Sequence, residues 1–208
     1  MSLSRRSLLA SALCVLMPPV ALADDATASM LERVAKARST MTTMRGPFVQ
    51  TRTIGLLATD VRSHGSMVLS RPSRLRWELQ PPDAVIFWVG PEGLSYRSTH
   101  GSGRLPEATG RVAAALEDMR LLIGGDVQAL ARRWALRLVS DTPDGPDIEA
   151  IARVPGAAFV RSMRFSLAPD LVRPQKAVLV EGPHDRTVIE FGKIEVNVPV
   201  DEATMRGG

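Results

Sequence analysis

The chain has 208 residues, of which 45% are hydrophobic, 4% aromatic and 23% charged, and its formal net charge is +4. This composition is typical of one globular domain and excludes a disordered or fibrous protein. Without Arg5 and Arg6 the net charge falls to +2, which is too balanced to favour nucleic acid as a partner.

Residues 1–23 are predicted to form a signal peptide. Arg5 and Arg6 supply a basic start, residues 8–20 are apolar, and small residues at 21–23 place the cleavage site after Ala23. A twin-arginine signal and an ordinary secretory signal both fit this pattern. Cys14 is the one cysteine and lies in this segment. The mature chain, residues 24–208, is therefore expected to fold as a single domain without disulfides.

The first half of the mature chain is predicted to be a helix followed by an antiparallel meander. The three- and four-residue spacing over residues 24–43 predicts a helix with one face formed by Met30, Leu31, Val34, Ala37, Arg38 and Met41. The period then changes to two, which predicts strands over residues 47–58, 61–70, 74–80, 84–89 and 94–98. The stretch His100-Gly101-Ser102-Gly103 is predicted to be a flexible loop.

The second half is predicted to begin with two helices and to return to strands. Helical spacing covers residues 109–122 and, after Gly124-Gly125, residues 126–134. Strands are predicted over residues 135–140, 148–154, 160–167, 175–181 and 187–198. The apolar phase changes between Phe191 and Ile194, which predicts a bulge or tight turn at Gly192-Lys193.

One face of this sheet is predicted to be apolar. Along residues 74–79, Leu75, Trp77 and Leu79 point one way and three charged side chains point the other. A sheet of this size must curl or stack to bury its apolar face. Its Leu, Val, Ala, Ile and Met residues fit either an ordinary core or a cavity for flexible hydrocarbon, and the residues alone leave both open.

Residues for catalysis or metal binding do not form a recognisable set. His64, His100 and His184 each lie in or beside a predicted turn, and none has a second His or Cys at ligand spacing. The HExxH, GxSxG and glycine-rich phosphate motifs are absent. We therefore predict no catalytic residues, no metal site and no cofactor.

Two stretches of the chain resemble the LolA family of periplasmic outer-membrane lipoprotein carriers. One is FVQ at residues 48–50, which matches an F-x-Q strand. The other is GSMVLSRPSRLRWE at residues 65–78, which resembles the pattern G-x-L-x-x-RP-x-x-x-x-W in its glycine, its Arg-Pro pair and its tryptophan, with one residue more before Arg71, and which is followed by Pro81-Pro82. The resemblance extends over residues 28–204 and is most specific between Phe48 and Trp77.

The resemblance implies a mainly β fold with helices, in which a curved, half-open antiparallel β-barrel is capped by lid helices. It implies a hydrophobic cavity that holds acyl chains, and a latch in which Arg71 hydrogen-bonds the lid closed, since helix-end carbonyls are suitable acceptors for a guanidinium. The candidate cavity residues are Met67, Leu69, Leu75, Trp77, Leu79, Leu116, Met119 and Phe165.

The resemblance also implies a periplasmic carrier without enzymatic activity, expected to act as a monomer. Its partners would be an acylated lipoprotein or another lipid as cargo, an inner-membrane donor protein and an outer-membrane acceptor protein. Two departures leave the cargo open between lipoproteins and other lipids or polyene-type conjugates. Leu75 stands where the lipoprotein carriers place a bulky aromatic residue, and residues 203–208 lack their aromatic-containing extension. The alternative function is a lipid-sensing or protein-interaction module on the same scaffold.

Overall fold

A computed structural model describes residues 24–55, 59–105, 111–154 and 160–207. The predicted signal peptide lies outside these residues, as do the predicted start of the second helix at Thr109 and the predicted strand end at Ala58. None of the helices in the described part of the chain combines the length and the hydropathy needed to cross a lipid bilayer.

Three helices and twelve strands make up the described residues. The helices are α1 (Asp25–Ala37), α2 (Arg111–Gly124) and α3 (Val127–Arg133), and a short 3₁₀ turn covers Glu202–Met205. The strands are β1 (Thr43–Ile54), β2 (Thr59–Ser70), β3 (Arg74–Leu79), β4 (Val85–Gly90), β5 (Gly93–Ser98), β6 (Gly101–Leu105), β7 (Trp134–Thr142), β8 (Gly145–Ala152), β9 (Ser162–Leu167), β10 (Pro174–Val180), β11 (Arg186–Phe191) and β12 (Glu195–Val196).

The strands form one antiparallel sheet in the order β6-β5-β4-β3-β2-β1-β11-β10-β9-β8-β7. Two meanders, β1 to β6 and β7 to β11, therefore join side by side where β1 pairs with β11, and β6 and β7 remain as the two edges. A twisted sheet of this size curls around its apolar face. The predicted fold class, a curved antiparallel half-barrel with a few helices, is confirmed.

The strand β6 corrects one prediction, because the stretch from His100 to Gly103 is not a loop. Gly101 to Leu105 pairs with β5 along its whole length. The ladder is made by backbone groups, so a strand poor in apolar side chains pairs as well as a richer one when a neighbour presents its free edge. At the end of the sheet the predicted break at Gly192-Lys193 is confirmed, since β11 ends at Phe191 and β12 pairs separately with β1.

The apolar face of the sheet is organised around a stacked aromatic pair. Phe48 and Trp77 stack with ring centroids 3.9 Å apart, and Phe191 meets Trp77 edge-on at 6.4 Å. Gly65, which lies opposite Phe48 in the β1–β2 ladder, makes this possible. A Cβ at Gly65 would lie 2.3 Å from Phe48 Cζ, so only glycine lets the ring cross β2 to reach Trp77.

Helix α1 packs against the edge strand β7. Asp24 caps it by accepting a hydrogen bond from the Thr27 amide at 2.7 Å, and Met30 and Val34 are buried. Thr27 Oγ1 in turn accepts a hydrogen bond from the Leu138 amide at 2.9 Å, beside an irregularity in the β7–β8 ladder. The helix is thereby fixed against the edge strand β7, and its last turn enters the region under the lid.

Candidate functional site

Helices α2 and α3 form a lid over the apolar face of the half-barrel. Helix α2 contacts β2, β4 and α3. Its buried apolar side chains in the described part of the helix are Ala113, Leu116, Met119, Leu121, Leu122 and Ile123. Their three- and four-residue spacing is that of an amphipathic helix lying on a core. The lid therefore closes the half-barrel with apolar side chains rather than with a polar network.

A cavity of about 310 Å³ remains between the lid and the sheet. This volume lies at the lower end of the ~300–1,000 Å³ range typical of small-molecule pockets. The cavity's apolar wall consists of Trp77, Leu79, Phe87, Ala115, Leu116, Met119, Leu179 and Ile189, and its polar rim of Gln50, Arg52, Glu181 and Thr187. At the rim the Arg52 guanidinium lies 3.4 Å from the Glu181 carboxylate. The space is thus apolar inside and polar at one end.

The predicted cavity residues fall into three groups. Trp77, Leu79, Leu116 and Met119 line the cavity. Met67, Leu69 and Leu75 share the same face of the sheet and are almost fully buried in the surrounding core, where Met67 lies opposite Trp77 and Leu69 opposite Leu75. Phe165 lines a second, closed space farther along the half-barrel.

Arg71 makes its side-chain hydrogen bonds at the end of α1. Its Nη1 donates to the carbonyl of Arg38 at 2.6 Å and to that of Met41 at 3.2 Å. These two carbonyls belong to the segment that joins α1 to β1. Within the described residues, the guanidinium that bonds the carbonyls at the C-terminal end of α2 is that of Arg38. Any latch function of Arg71 would therefore act through the chain segment that carries Arg38.

Arg38 lies inside the protein, with only 2% of its surface exposed. Its Nη1 donates to the carbonyls of Leu122 at 2.8 Å and Ile123 at 3.3 Å, the C-terminal end of α2. Its Nε donates to the carbonyl of Leu171 at 3.1 Å. A cation is favourable at a helix C-terminus, where carbonyls without intrahelical partners concentrate partial negative charge. Arg38 thus ties α1, the lid and the β9–β10 connection together.

Gly125 makes the close approach of Arg38 possible. It ends α2 in the left-handed region, with φ of +73°, and a Cβ there would lie 2.8 Å from Arg38 Cδ. The Asp126 amide donates to the Leu121 carbonyl at 3.1 Å, which completes a Schellman-type end to the helix. The prediction did not single out Arg38, although its place among apolar residues of the first helix was a usable signal.

Burial lowers the pKa of the Arg38 guanidinium to about 10, while nearby Asp170 opposes this shift and Arg71 adds to it. The side chain therefore remains charged at neutral pH. Asp118 lies where α2 meets the end of α3, and the pKa of its carboxyl is raised by burial, although Arg133 and the Trp134 indole lower it. Asp118 accepts from Arg133 Nη1 at 2.9 Å and from Trp134 Nε1 at 3.2 Å, which fixes the end of α3 to the middle of α2.

Among the described residues, no group of three or more His, Cys, Asp or Glu side chains lies close enough to hold a metal ion. His64 is exposed on β2, and His100 and His184 are exposed in turns. The site itself combines an apolar cavity, a polar rim and a buried cation under a lid, and these features support the binding of a ligand.

This arrangement places the protein among half-barrel proteins that enclose an apolar cavity beneath lid helices. The model of the family "Outer membrane lipoprotein carrier protein LolA" matches residues 39–205. The chain belongs to this family, and the resemblance seen in its sequence is confirmed. Proteins of the family work in the periplasm and are generally non-enzymatic.

Individual relatives are distant. An outer-membrane lipoprotein carrier protein from Coxiella burnetii is 23% identical over 141 residues, which cover 67% of this chain and 64% of the relative. An uncharacterised conserved protein from Thermus thermophilus has a similar structure, with a TM-score of 0.51 at 12% identity over 86% of this chain and 92% of that one. A DUF1329 family protein from Desulfovibrio piger matches with a TM-score of 0.50 at 9% identity, over 86% and 97% of the two chains. The structural matches bear on the fold alone.

Proposed function

We propose that the protein is a periplasmic carrier that holds an acyl chain of a lipoprotein or of another lipid in the cavity under α2. The observation that carries this proposal is the apolar space of about 310 Å³ between Trp77 on the sheet and Leu116 and Met119 on the lid. The space is a cleft that opens to solvent, as small-molecule pockets commonly do. A space of this size, lined by apolar side chains, therefore favours a hydrocarbon guest.

The energies of lid closure and chain burial are compatible with loading. Each hydrogen bond from the charged Arg38 to a lid carbonyl contributes roughly 1.5–3 kcal/mol. Burial of an acyl chain gains about 0.8 kcal/mol per methylene, so a chain of ~10 methylenes gains about 8 kcal/mol. A lipid therefore has enough free energy to replace the lid contacts, and an empty protein has enough contacts to keep the lid closed.

Membership of the family supports a proposed direction of transport. The proposed carrier takes its cargo from an inner-membrane donor protein and delivers it to an outer-membrane acceptor protein, after export and removal of residues 1–23. Arg71 is proposed to support lid closure by holding the carbonyls of Arg38 and Met41. Met67, Leu69, Leu75 and Phe165 are proposed to join the cavity wall when the lid moves. No catalytic step is part of this function.

The test is to look for bound lipid and for its transfer. Mass spectrometry of protein purified from cells without detergent should detect an acylated molecule at close to one per chain. The purified protein should also bind a neutral hydrophobic dye and carry labelled lipid between two populations of vesicles. Protein that is free of lipid and has no affinity for dye or acylated ligand would contradict the proposal. Cross-linking to a protein partner without any lipid transfer would favour the interaction module instead.

A further inference from the structure

The guanidinium of Arg38 has an unused hydrogen-bond donor in the interior of the half-barrel. Its Nη1 and Nε donate to three backbone carbonyls, but Nη2 is buried and has no hydrogen-bond partner among the described residues. Buried donors are almost always paired. An unpaired donor on a buried cation is therefore available to a ligand that carries a hydrogen-bond acceptor.

The acceptors that Arg38 does have are all neutral. The nearest acidic group with an influence on it, Asp170, is already engaged, since its carboxylate accepts from the amides of Val172 and Arg173 and from the Arg173 guanidinium. The other charged groups around Arg38 are cations, because Arg71 bonds its carbonyl and Lys176 lines the adjoining space. This end of the half-barrel therefore carries positive charge that no carboxylate of its own neutralises through direct hydrogen bonds.

A narrow space beside Arg38 lies next to the lipid cavity, and it has no room for a water molecule while the lid is closed. It is closed and apolar, with Leu122 and Ile123 of the lid on one side and Ala177 and Phe191 of the sheet on the other. Ala177 and Phe191 lie two residues along β10 and β11 from Leu179 and Ile189, which line the open cavity. Residues two apart in a strand share a face and are separated by about 6.8 Å. The cavity and this space thus lie along one apolar face of the sheet, and displacement of the lid from that face would join them, with Arg38 at the inner end.

We propose that Arg38 is the recognition group for a negatively charged head on a single-chain amphiphile that enters the half-barrel head first. The lid would move away from the sheet to admit the ligand, and the head would pair with Nη2 and take over part of the role of the lid carbonyls. The alkyl chain would lie along the apolar face of the sheet toward the rim at Arg52 and Glu181. The inference rests on the proposed function and narrows its cargo to a single alkyl chain that ends in a carboxylate or a phosphate.

Ligand charge provides a test that needs no variant. Dodecanol, dodecanoate and dodecyl phosphate share one chain and differ in the head, and their affinities can be measured below micelle formation by displacement of a neutral fluorescent dye. We expect the two anions to bind about tenfold to a hundredfold more tightly than the alcohol, as charge-assisted hydrogen bonds require. The carboxylate and phosphate arms identify which head fits. Equal affinity for all three would overturn the proposal.

Two substitutions test whether Arg38 causes the preference for anionic ligands. Arg38→Met removes the charge at similar volume, and we expect it to abolish the preference for the anions while dodecanol binds at least as well as to the unaltered protein. Arg38→Lys keeps a cation and should retain a reduced preference, so it serves as the second variant if methionine prevents folding. The control is Arg33→Met on the same helix, because Arg33 is exposed and pairs with Asp141 on the surface. It should leave all affinities unchanged.

The outcomes separate this inference from the carrier function. If dye and dodecanol bind but the anions have no advantage, the carrier proposal stands and the recognition role of Arg38 fails. If Arg38→Met folds and keeps the full preference for anions, Arg38 only clips the lid and the inference is again overturned. If none of the ligands binds, both proposals fall together.

Discussion

Filling the cavity from the lid is the most direct way to challenge the carrier function. Ala115 lies on α2 and lines the cavity. Ala115→Leu adds three carbon atoms at a position that faces existing empty space, and both residues are good helix formers. The leucine should therefore occupy volume that the proposed ligand needs while leaving the helix intact.

The expected size of the effect follows from the area removed from water. Burial of three additional carbon atoms gains at most about 2.4 kcal/mol, at roughly 0.8 kcal/mol for each. The free energy of unfolding of the empty protein should rise by up to that amount. A ligand that used the same volume loses a similar amount, and its affinity should fall by roughly fiftyfold.

Urea unfolding and dye titration measure the two effects on the same sample. The control is Ala35→Leu, the same change on the exposed side of α1, which should alter neither quantity appreciably. The reasoning would be refuted if Ala115→Leu stabilised the protein as expected and bound the dye with unchanged affinity. The ligand would then occupy some other part of the molecule.

Three further predictions concern the supports of the site. Arg71→Leu removes two hydrogen bonds from a charged donor to the end of α1, and a partly exposed pair of this kind is worth about 1–2 kcal/mol. Because Arg71 is proposed to support lid closure, uptake of the hydrophobic dye should rise in this variant. Unchanged uptake would remove Arg71 from the mechanism. Gly65→Ala brings a Cβ within 2.3 Å of Phe48 and of a backbone carbonyl. The free energy of unfolding measured in urea should therefore fall by about 1–3 kcal/mol. An unaltered unfolding midpoint would contradict the close packing of Gly65 against Phe48. Asp118 has a raised pKa in the folded protein, so between its ordinary and its raised pKa the folded state binds more protons than the unfolded state. The free energy of unfolding of the unaltered protein, relative to that of Asp118→Asn, should therefore increase as the pH falls through that window. A difference that stays constant with pH would count against the burial of an ionised carboxylate.

The strands and their inward faces could be predicted because the relevant signal is local. Leu75, Trp77 and Leu79 alternate with charged residues, and a period of two assigns them to one face whatever the rest of the chain does. The helix α1 was predicted over residues 24–43 but ends at Ala37. The apolar spacing continues through Met41, in the segment between the end of α1 and the start of β1 at Thr43. Periodicity alone therefore could not locate the end of the helix.

The division between core and cavity could not be read from the sequence. Met67 and Trp77 lie opposite each other on neighbouring strands and face the same way. Trp77 nevertheless lines the cavity whereas Met67 is packed in the core. The difference depends on how far the lid stands from each point of the sheet, and that distance results from contacts between elements that are remote in the chain. Composition and alternation are the same for a filled half-barrel and a partly empty one.

Arg38 shows a different limit. Its position among the apolar residues of the first helix indicates a buried arginine, and a buried guanidinium must have acceptors. The acceptors here are the carbonyls of Leu122, Ile123 and Leu171, between 84 and 133 residues away. Every residue type carries a carbonyl, so no pattern of side chains could have named them. The one local trace of the contact is Gly125, since the residue that ends the lid helix must also leave room for the arginine beside it. Two signals can therefore predict a contact of this kind in related sequences. One is a charged residue on an apolar helix face, and the other is a glycine at the end of a distant helix.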